Sequence, residues 1–187
     1  MNNNRENGNR ELDRALQLHE QFGPLVPDVA PLLVLIENYG ALIKSTDALM
    51  RELGVVAACT QCAVSGKGSC CFDGMDRSYG ATALLVNLLL GSELHEETDF
   101  PRTCRYVGEE GCRLKARHSF CLNYFCPDLQ ESLGAEKIER IRRGVGEQLL
   151  AGWELERALV GWISNEQRKT GAAVSGVQRG RDEVRGP

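Results

Sequence analysis

Two cysteine-rich segments decide how this chain folds: residues 59–71, CTQCAVSGKGSCC, and residues 104–126, CRYVGEEGCRLKARHSFCLNYFC. Together they contain all eight cysteines of the 187-residue chain: Cys59, Cys62, Cys70, Cys71, Cys104, Cys112, Cys121 and Cys126. The spacing is Cys-x2-Cys-x7-Cys-Cys, a gap of 32 residues, and then Cys-x7-Cys-x8-Cys-x4-Cys. Two groups of four thiols on either side of an intervening segment indicate that the chain closes around something that binds thiolates.

The overall composition narrows the class of protein. A length of 187 residues suits one domain, and a net charge of −4 with a pI near 5.5 argues against a nucleic-acid binder. The N-terminal sequence MNNNRENGNRELDR has no apolar core, so no signal peptide is predicted. The longest apolar runs, APLLVLI and ATALLVNLLLG, are too short to span a membrane. We therefore expect the reducing cytosol, where clustered cysteines bind metal more often than they form disulfides.

Residues 28–53 have the pattern of an amphipathic helix that begins at an Asp28 cap and ends at Gly54. Apolar or small side chains recur at alternating spacings of three and four: Val29, Leu32, Ile36, Tyr39, Ile43, Thr46, Met50 and Leu53. Such a stripe is typical of a core helix, and it is also what a homodimer or partner seam looks like.

Helical periodicity recurs on both sides of the cysteine segments. It predicts a short helix over residues 10–22, a buried leucine-rich helix that Gly91 closes, and a glycine-containing helix over residues 135–168. Residues 1–9 and 170–187 are polar or glycine-rich and are predicted to be disordered. The sequence thus predicts a single all-α domain over residues 10–169, with an irregular, metal-stapled cysteine centre at 59–126. A glycine-centred turn is expected at GEEG, and no strand of convincing length is found.

The cysteines are the candidate metal ligands. Four thiolates make a tetrahedral zinc site or hold an iron–sulfur cluster. Because neighbouring side chains in an extended backbone point opposite ways, the adjacent pair Cys70-Cys71 hints at two metal ions or a polynuclear site. His95 and His118 are possible substitute ligands, and Asp73 and Asp76 are expected to cap turns rather than ligate.

Basic residues accompany the second cysteine segment and outnumber its two glutamates: Arg102, Arg105, Arg113, Lys115 and Arg117. One interpretation is that they donate hydrogen bonds to metal-bound sulfur and offset its negative charge. The other is an ordinary solvated loop. A nucleic-acid patch fits less well, since interleaved aromatic residues and overall basicity are missing.

The cysteine pattern resembles the YkgJ-type cysteine-cluster family, described as a zinc- or iron-chelating domain. That family opens with Cys-x2-Cys, a short gap and Cys-Cys, which Cys59, Cys62 and the pair at 70–71 match. It closes with a cysteine–aromatic element and an Arg-Pro-x2-Cys element, to which CRYV at Cys104 and RHSFC ending in Cys121 are similar. His118 stands in place of the usual proline. The resemblance covers about residues 59–126 and implies metal chelation, without a settled reaction.

Three functional hypotheses remain open at this point. The first is a module in which structural zinc or iron orders the centre and presents a surface to a partner. The second is an iron–sulfur redox protein or an enzyme, although no phosphate loop, metalloprotease helix or thioredoxin-like βαβ pattern accompanies the cysteines. The third is a disulfide-rich scaffold, which needs an export signal.

Overall fold

The computed structural model describes the backbone of residues 2–65 and 70–182, and the side chains of residues 9–65 and 70–170. In those residues the helices are α1 (Asn2–Phe22), α2 (Ala30–Glu52), α3 (Val55–Val64), α4 (Ala81–Leu89), α5 (Ser119–Asn123), α6 (Pro127–Leu133) and α7 (Ala135–Asp182). Two 3₁₀ turns, Gly23–Asp28 and Met75–Ser78, and the strands β1 (Val107–Gly108) and β2 (Gly111–Cys112) accompany them. The predicted all-α fold is confirmed.

The two longest helices that face each other, α2 and α7, pack along their lengths and form the main core. Leu32 and Ile43 of α2 lie in one buried cluster with Leu155 and Leu159 of α7. Five of the eight residues of the predicted stripe are buried within the chain, as a core helix requires, and these five are not free to form a seam with a second copy. A side chain at Gly152 would meet the Tyr39 ring at about 2.9 Å, so this glycine allows the close approach of the two helices.

Helix α1 packs against α4, which carries the predicted leucine-rich pattern. Leu84 and Leu85 of α4 are almost fully buried, and Gly91 follows the helix with a positive φ of 76°. Asn87, also fully buried, uses its amide to bind the backbone of Ala116 through both its oxygen and its nitrogen. Helix α4 thereby holds the segment that leads into the last cysteines.

The start of α2 differs from the predicted Asp28 cap. Asp28 ends the preceding 3₁₀ turn, and Val29 occupies the cap position without a side-chain hydrogen bond. The sequence GPLVPD explains this difference, since the fixed φ angles of Pro24 and Pro27 suit a tight turn before the helix begins. At the other end the prediction is confirmed: Gly54 adopts φ 77° directly after α2.

The first cysteine segment was expected to lack helix, and this expectation is wrong for its first half. Helix α3 runs through Val64 and carries Cys59 and Cys62. Its residues Val55 and Ala63 are buried against neighbouring elements. Burial of this face outweighs the weak helical propensity of the CTQC sequence.

The second cysteine segment contains a small hairpin. Strands β1 and β2 pair antiparallel, with Val107 opposite Cys112 and Gly108 opposite Gly111. The predicted turn at GEEG is thus confirmed, and Gly111 adopts the positive φ of 111° that such a turn favours. Each strand has two residues, in keeping with the all-α class.

Helices extend into both terminal segments for which the sequence predicts disorder. The backbone is helical over residues 2–9 and 170–182, whereas Met1 and residues 183–187 lie outside the described residues. Extending an existing helix costs much less than nucleating one, and α1 and α7 are both nucleated by buried faces. Over the described parts of the chain, no single helix is long and apolar enough to cross a membrane; Asn9–Asp28 with Ala30–Glu52 reaches that length only across a bend of 102°.

Candidate metal centre

All eight cysteines are reduced thiols without disulfide bonds, and several separate elements carry them. Cys59 and Cys62 lie one turn apart on α3, and Cys112 lies on β2. Cys121 lies on α5, and Cys126 is the residue that precedes α6. The remaining three, Cys70, Cys71 and Cys104, lie in the connections between helices and strands.

The two cysteine segments are fastened to each other through their backbones. The amide of Cys104 donates to the carbonyl of Cys71 at 2.9 Å, and the amide of Asp73 donates to the carbonyl of Arg102 at 3.2 Å. Between these bonds Phe72 and Thr103 form an isolated antiparallel bridge. This short ladder brings the Cys70-Cys71 pair beside the second segment, across the 32-residue gap in the sequence.

Four of the cysteines line a cavity of about 560 Å³ that we call the aromatic cavity: Cys59, Cys62, Cys70 and Cys126. Three exposed aromatic side chains, Phe72, Phe120 and Tyr124, also line it. The rings of Phe120 and Tyr124 stack with centroids 5.1 Å apart. The volume lies in the range of small-molecule sites in proteins.

A second, smaller cavity of about 60 Å³, the cysteine cavity, lies against the first. Six cysteines line it: Cys59, Cys70, Cys71, Cys104, Cys112 and Cys121. Cys59 and Cys70 belong to the lining of both cavities, so the two spaces share a wall. Together the two linings include all eight cysteines.

Electrostatic interactions between the thiols follow the two cavities without separating them completely. Cys59 interacts with Cys70, Cys126 and Cys62. Cys112 and Cys121 both raise the pKa of Cys71, and both raise the pKa of Cys104. Cys59 and Cys121 are therefore each surrounded by other thiols, and Cys70 interacts with both of them and so links the two sets.

Burial strongly disfavours the charged thiolate in this centre. It raises the pKa of Cys59 to about 11, with the neighbouring cysteines adding to the rise. Burial likewise raises the pKa values of Cys104 and Cys121 to about 12. Without a cation these thiols are protonated at neutral pH, and a bound metal ion would have to displace their protons.

The Cys70-Cys71 pair behaves differently, because its two thiols are hydrogen-bonded to each other. This bond lowers the pKa of Cys70 and raises the pKa of Cys71. One thiol of the pair is thus prepared to ionise before its neighbours, at the wall between the two cavities.

Arg117 is the cation that lines the cysteine cavity. Its side chain is 16% exposed, and its Nη2 donates to Asp47 Oδ1 at 2.7 Å. The guanidinium lowers the pKa values of Cys59, Cys112 and Cys121, against the larger opposing effect of their burial. Of the two interpretations of the basic residues, charge compensation thus fits Arg117.

The other four basic residues of the second segment are engaged elsewhere or lie apart from the cysteines. Arg105 forms a buried ion pair with Asp76 at 2.8 Å, and its guanidinium also donates to Asn9. Arg113 pairs with Asp99. Lys115 donates to the carbonyls of Leu90 and Gly91, and Arg102 occupies a left-handed backbone position with φ 61°.

The non-cysteine candidates have structural roles. His118 caps α5, since its Nδ1 accepts a hydrogen bond from the amide of Phe120 at 3.1 Å. Its own amide donates to the hydroxyl of Tyr79, whose ring it meets edge-on. Asp73 pairs with Arg77 and Asp76 with Arg105, so both aspartates serve the local fold rather than the thiols.

The thiols share cavities, but they do not form a closed coordination sphere. Among the described side chains, residues 9–65 and 70–170, no three His, Cys, Asp or Glu groups stand close enough together to hold a metal ion. The fit to a metal therefore rests on the donor set, eight reduced thiols in two adjoining groups of four, and not on a finished ligand geometry.

The roles of several residues at this site cannot be recognised from the sequence, because their partners are far away along the chain. Asp47, which orients Arg117, lies 70 positions away from it on α2. Tyr79, whose hydroxyl holds His118, sits 39 positions away. The aromatic residues of the aromatic cavity come from Phe72, directly after the first segment, and from the second segment, and only the folded chain brings them together.

Comparisons with known proteins add no relatives to this picture. No protein-family model matches the chain, and neither a curated protein nor a solved structure is significantly similar to it.

Proposed function

We propose that this chain is a metal-binding protein whose cysteines hold zinc or iron, and that the metal orders the cysteine segments and presents a surface to a partner. One observation carries the proposal: eight reduced thiols from distant segments line two cavities with a common wall. Buried thiols that raise one another's pKa values are poorly placed as uncompensated thiolates, and a cation removes that penalty. A reducing compartment such as the cytosol would keep them available.

The two groups define two proposed metal sites. The first consists of Cys59, Cys62, Cys70 and Cys126, and the second of Cys71, Cys104, Cys112 and Cys121. Each offers four thiolates, the set that suits tetrahedral zinc or an iron–sulfur unit. In this assignment the adjacent cysteines 70 and 71 serve different ions. The resemblance to YkgJ-type chelating domains supports metal binding, although it does not bear on which cysteines share an ion.

An iron–sulfur redox protein or enzyme is the second candidate. The aromatic cavity favours it, because about 560 Å³ of space beside Cys62 and Cys126 is more than a purely structural ion needs. Its walls combine Phe72, Phe120 and Tyr124 with the Asp128 carboxylate, a mixture found in sites for organic molecules.

Elemental analysis with an absorption spectrum, on protein purified without oxygen, tests both candidates. Two equivalents of zinc in a colourless protein support the structural module. Iron with sulfide and a broad visible absorption supports the redox alternative. A protein that contains no stoichiometric metal while its cysteine segments are ordered contradicts both, as do four stable disulfides in the native chain.

Serine variants test the two-site assignment. Cys62→Ser removes a ligand of the first site, and Cys104→Ser removes one of the second. Each should lower the metal content by about half and leave the other site loaded. Ser132→Ala, in the wall of the aromatic cavity, is the matched control and should retain all metal. Complete loss of metal in both cysteine variants would instead indicate one shared cluster.

A further inference from the structure

A third cavity, of about 690 Å³, lies between α2, the end of α4 and residues 112–117. Five cationic side chains line it, and we call it the basic cavity: Lys44, Arg51, Arg113, Lys115 and Arg117. The chain as a whole carries a net charge of −4, so this concentration of positive charge runs against the general composition. A positively charged concave surface on an acidic protein attracts anions.

The alternation of the extended segment 113–117 explains three of these cations. Leu114 and Ala116 are buried, whereas Arg113, Lys115 and Arg117 keep part of their surface and line the cavity. Side chains at alternate positions of an extended chain share one side. The sequence RLKAR thus places three positive charges on the side that faces α2.

Helix α2 completes the charged lining with residues at helical spacing. Glu37, Lys44, Asp47 and Arg51 follow one another at intervals of seven, three and four positions, so they lie on one face of the helix. Only two of these four are acidic. The helix therefore adds no net negative charge to balance the three cations opposite it.

The ion pairs in the basic cavity do not neutralise all of its positive charge. Asp47 accepts from both Arg51 and Arg117, at 2.7 Å in each case. Arg113 pairs with Asp99, and yet its Nη1 is buried without a hydrogen-bond partner among the described residues. The ammonium group of Lys44 makes no hydrogen bond or ion pair within the described chain. Two carboxylates, Glu37 and Asp47, line the cavity with the five cations. Asp99 pairs with Arg113, and Glu110 contributes to the raised pKa of Arg51, so the balance of charge stays positive.

Part of the wall is apolar. Ile36, Leu89 and Leu90 line the cavity and are only partly buried. The volume is far larger than an inorganic anion needs, and it lies in the range of sites for small organic molecules. The lining therefore suits a molecule with a carbon body and an anionic group.

We propose that the basic cavity binds a small organic phosphate monoester. Such a group carries nearly two negative charges at neutral pH, and the excess of positive charge in the cavity attracts it. Arginine and lysine are the side chains best suited to phosphate oxygens, and Lys44 Nζ supplies a donor that the described chain itself does not use. The carbon body lies over Ile36, Leu89 and Leu90. This proposal goes beyond metal binding and does not depend on it.

Calorimetric titration of the full chain with phenyl phosphate tests the proposal. Inorganic phosphate and benzyl alcohol, at the same ionic strength, serve as the charge-only and body-only probes. We expect phenyl phosphate to bind with a lower Kd than either. Lys44→Gln should weaken that binding about tenfold, the value of one charge-assisted hydrogen bond. Lys44 is exposed, so this variant should fold normally.

Lys137→Gln is the matched control, since Lys137 is an exposed lysine on α7 outside the cavity lining. Its Kd for phenyl phosphate should equal that of the unmodified chain. The proposal is overturned if phenyl phosphate does not bind at millimolar concentration, if it binds no tighter than inorganic phosphate or benzyl alcohol, or if Lys44→Gln and Lys137→Gln have the same Kd. Metal analysis of the same samples separates this result from the fate of the metal sites.

Discussion

The helical framework and the cysteine-bearing half of this molecule gain their order in different ways. The framework of α1, α2, α4 and α7 consists of helices of nine residues or more that bury continuous apolar faces. The cysteine-bearing half, residues 55–80 and 92–126, has one helix of comparable length, the ten-residue α3. Its other elements, five-residue α5 and the two-residue strands, are too short to be stable alone. Local periodicity therefore suffices for the framework, whereas long-range contacts and ligands must complete the other half.

The cysteine-bearing half nevertheless contains buried core residues. Tyr106 and Leu114 are almost fully buried, in a cluster that includes Leu12 of α1. The buried ion pair between Arg105 and Asp76 adds a polar anchor. Metal would therefore act on segments that are already attached to the framework, and its loss should release the thiol-bearing segments before the framework is disturbed.

Removal of metal from the proposed sites should have the largest effect on stability. It should affect the cysteine-bearing half much more than the framework. A structural zinc site supplies ~10–16 kcal/mol at neutral pH, more than the remaining contacts of a small segment. After chelation, amide exchange should accelerate in α3 and in residues 104–126, while α2 and α7 keep their protection. Hydrogen exchange with mass spectrometry measures both regions at once. Uniform loss of protection, or none, would mean that the two halves are not distinct.

A cavity created by substitution in the core between α2 and α7 should lower stability by less than the removal of metal does. Its effect should extend over the whole molecule. Leu155 is 0% exposed between α2 and α7, so Leu155→Ala should lower the free energy of unfolding by about 2–5 kcal/mol. Leu150→Ala, on the same helix at 58% exposure, is the control and should change it by less than about 0.5 kcal/mol. Urea titrations followed by circular dichroism give both values. Equal effects would refute the assignment of the α2–α7 core.

Alkaline pH should destabilise the framework through Tyr39. Burial raises the pKa of Tyr39 to about 12, with Glu156 contributing, while the unfolded chain titrates near 10. The stabilisation is therefore complete below pH 10 and is lost as the pH rises through 12, at up to about 1.4 kcal/mol per pH unit. Urea titrations at several pH values between 9 and 12 should show a shallower decline for Tyr39→Phe than for the unmodified chain. Identical slopes would count against a buried phenol at this position.

A substitution at Gly54, between α2 and α3 where the two halves meet, should have the smallest effect on stability. Gly54 has φ 77°, and a Cβ added there would meet no atom within 4 Å, so Gly54→Ala should destabilise by about 1 kcal/mol through backbone strain alone. Gly161→Ala is the opposite control: it lies inside α7, also in open space, and should stabilise by up to about 1 kcal/mol. Thermal unfolding of the pair shows the two signs. A neutral Gly54 variant would mean that the turn between α2 and α3 is adaptable.

The difference between the helical framework and the cysteine-bearing half explains which features the sequence can predict. The α2 stripe and the ends of helices at Gly54 and Gly91 follow from local spacing and backbone preference, and the structure confirms them. The helix that carries Cys59 and Cys62 does not follow, because burial of Val55 and Ala63 depends on distant partners.

The candidate site shows the same limit. Its eight cysteines are recognisable from composition and spacing alone. Their arrangement around two adjoining cavities is not, since it depends on a backbone ladder between residues 71–73 and 102–104. The pairing of Arg117 with Asp47 joins residues 70 positions apart, a distance at which local patterns carry no information.

Arg117 has a consequence for the thermodynamics of the whole molecule. It lines both the cysteine cavity and the basic cavity, and Cys112 does the same. An occupant of either cavity changes the electrostatic potential at this shared guanidinium and so changes the free energy of filling the other. Thermodynamic linkage makes such a coupling reciprocal: whatever factor an anion applies to the affinity for metal, metal applies to the affinity for the anion. A single partly buried charge, held by Asp47, would thus make one binding equilibrium a reporter of the other.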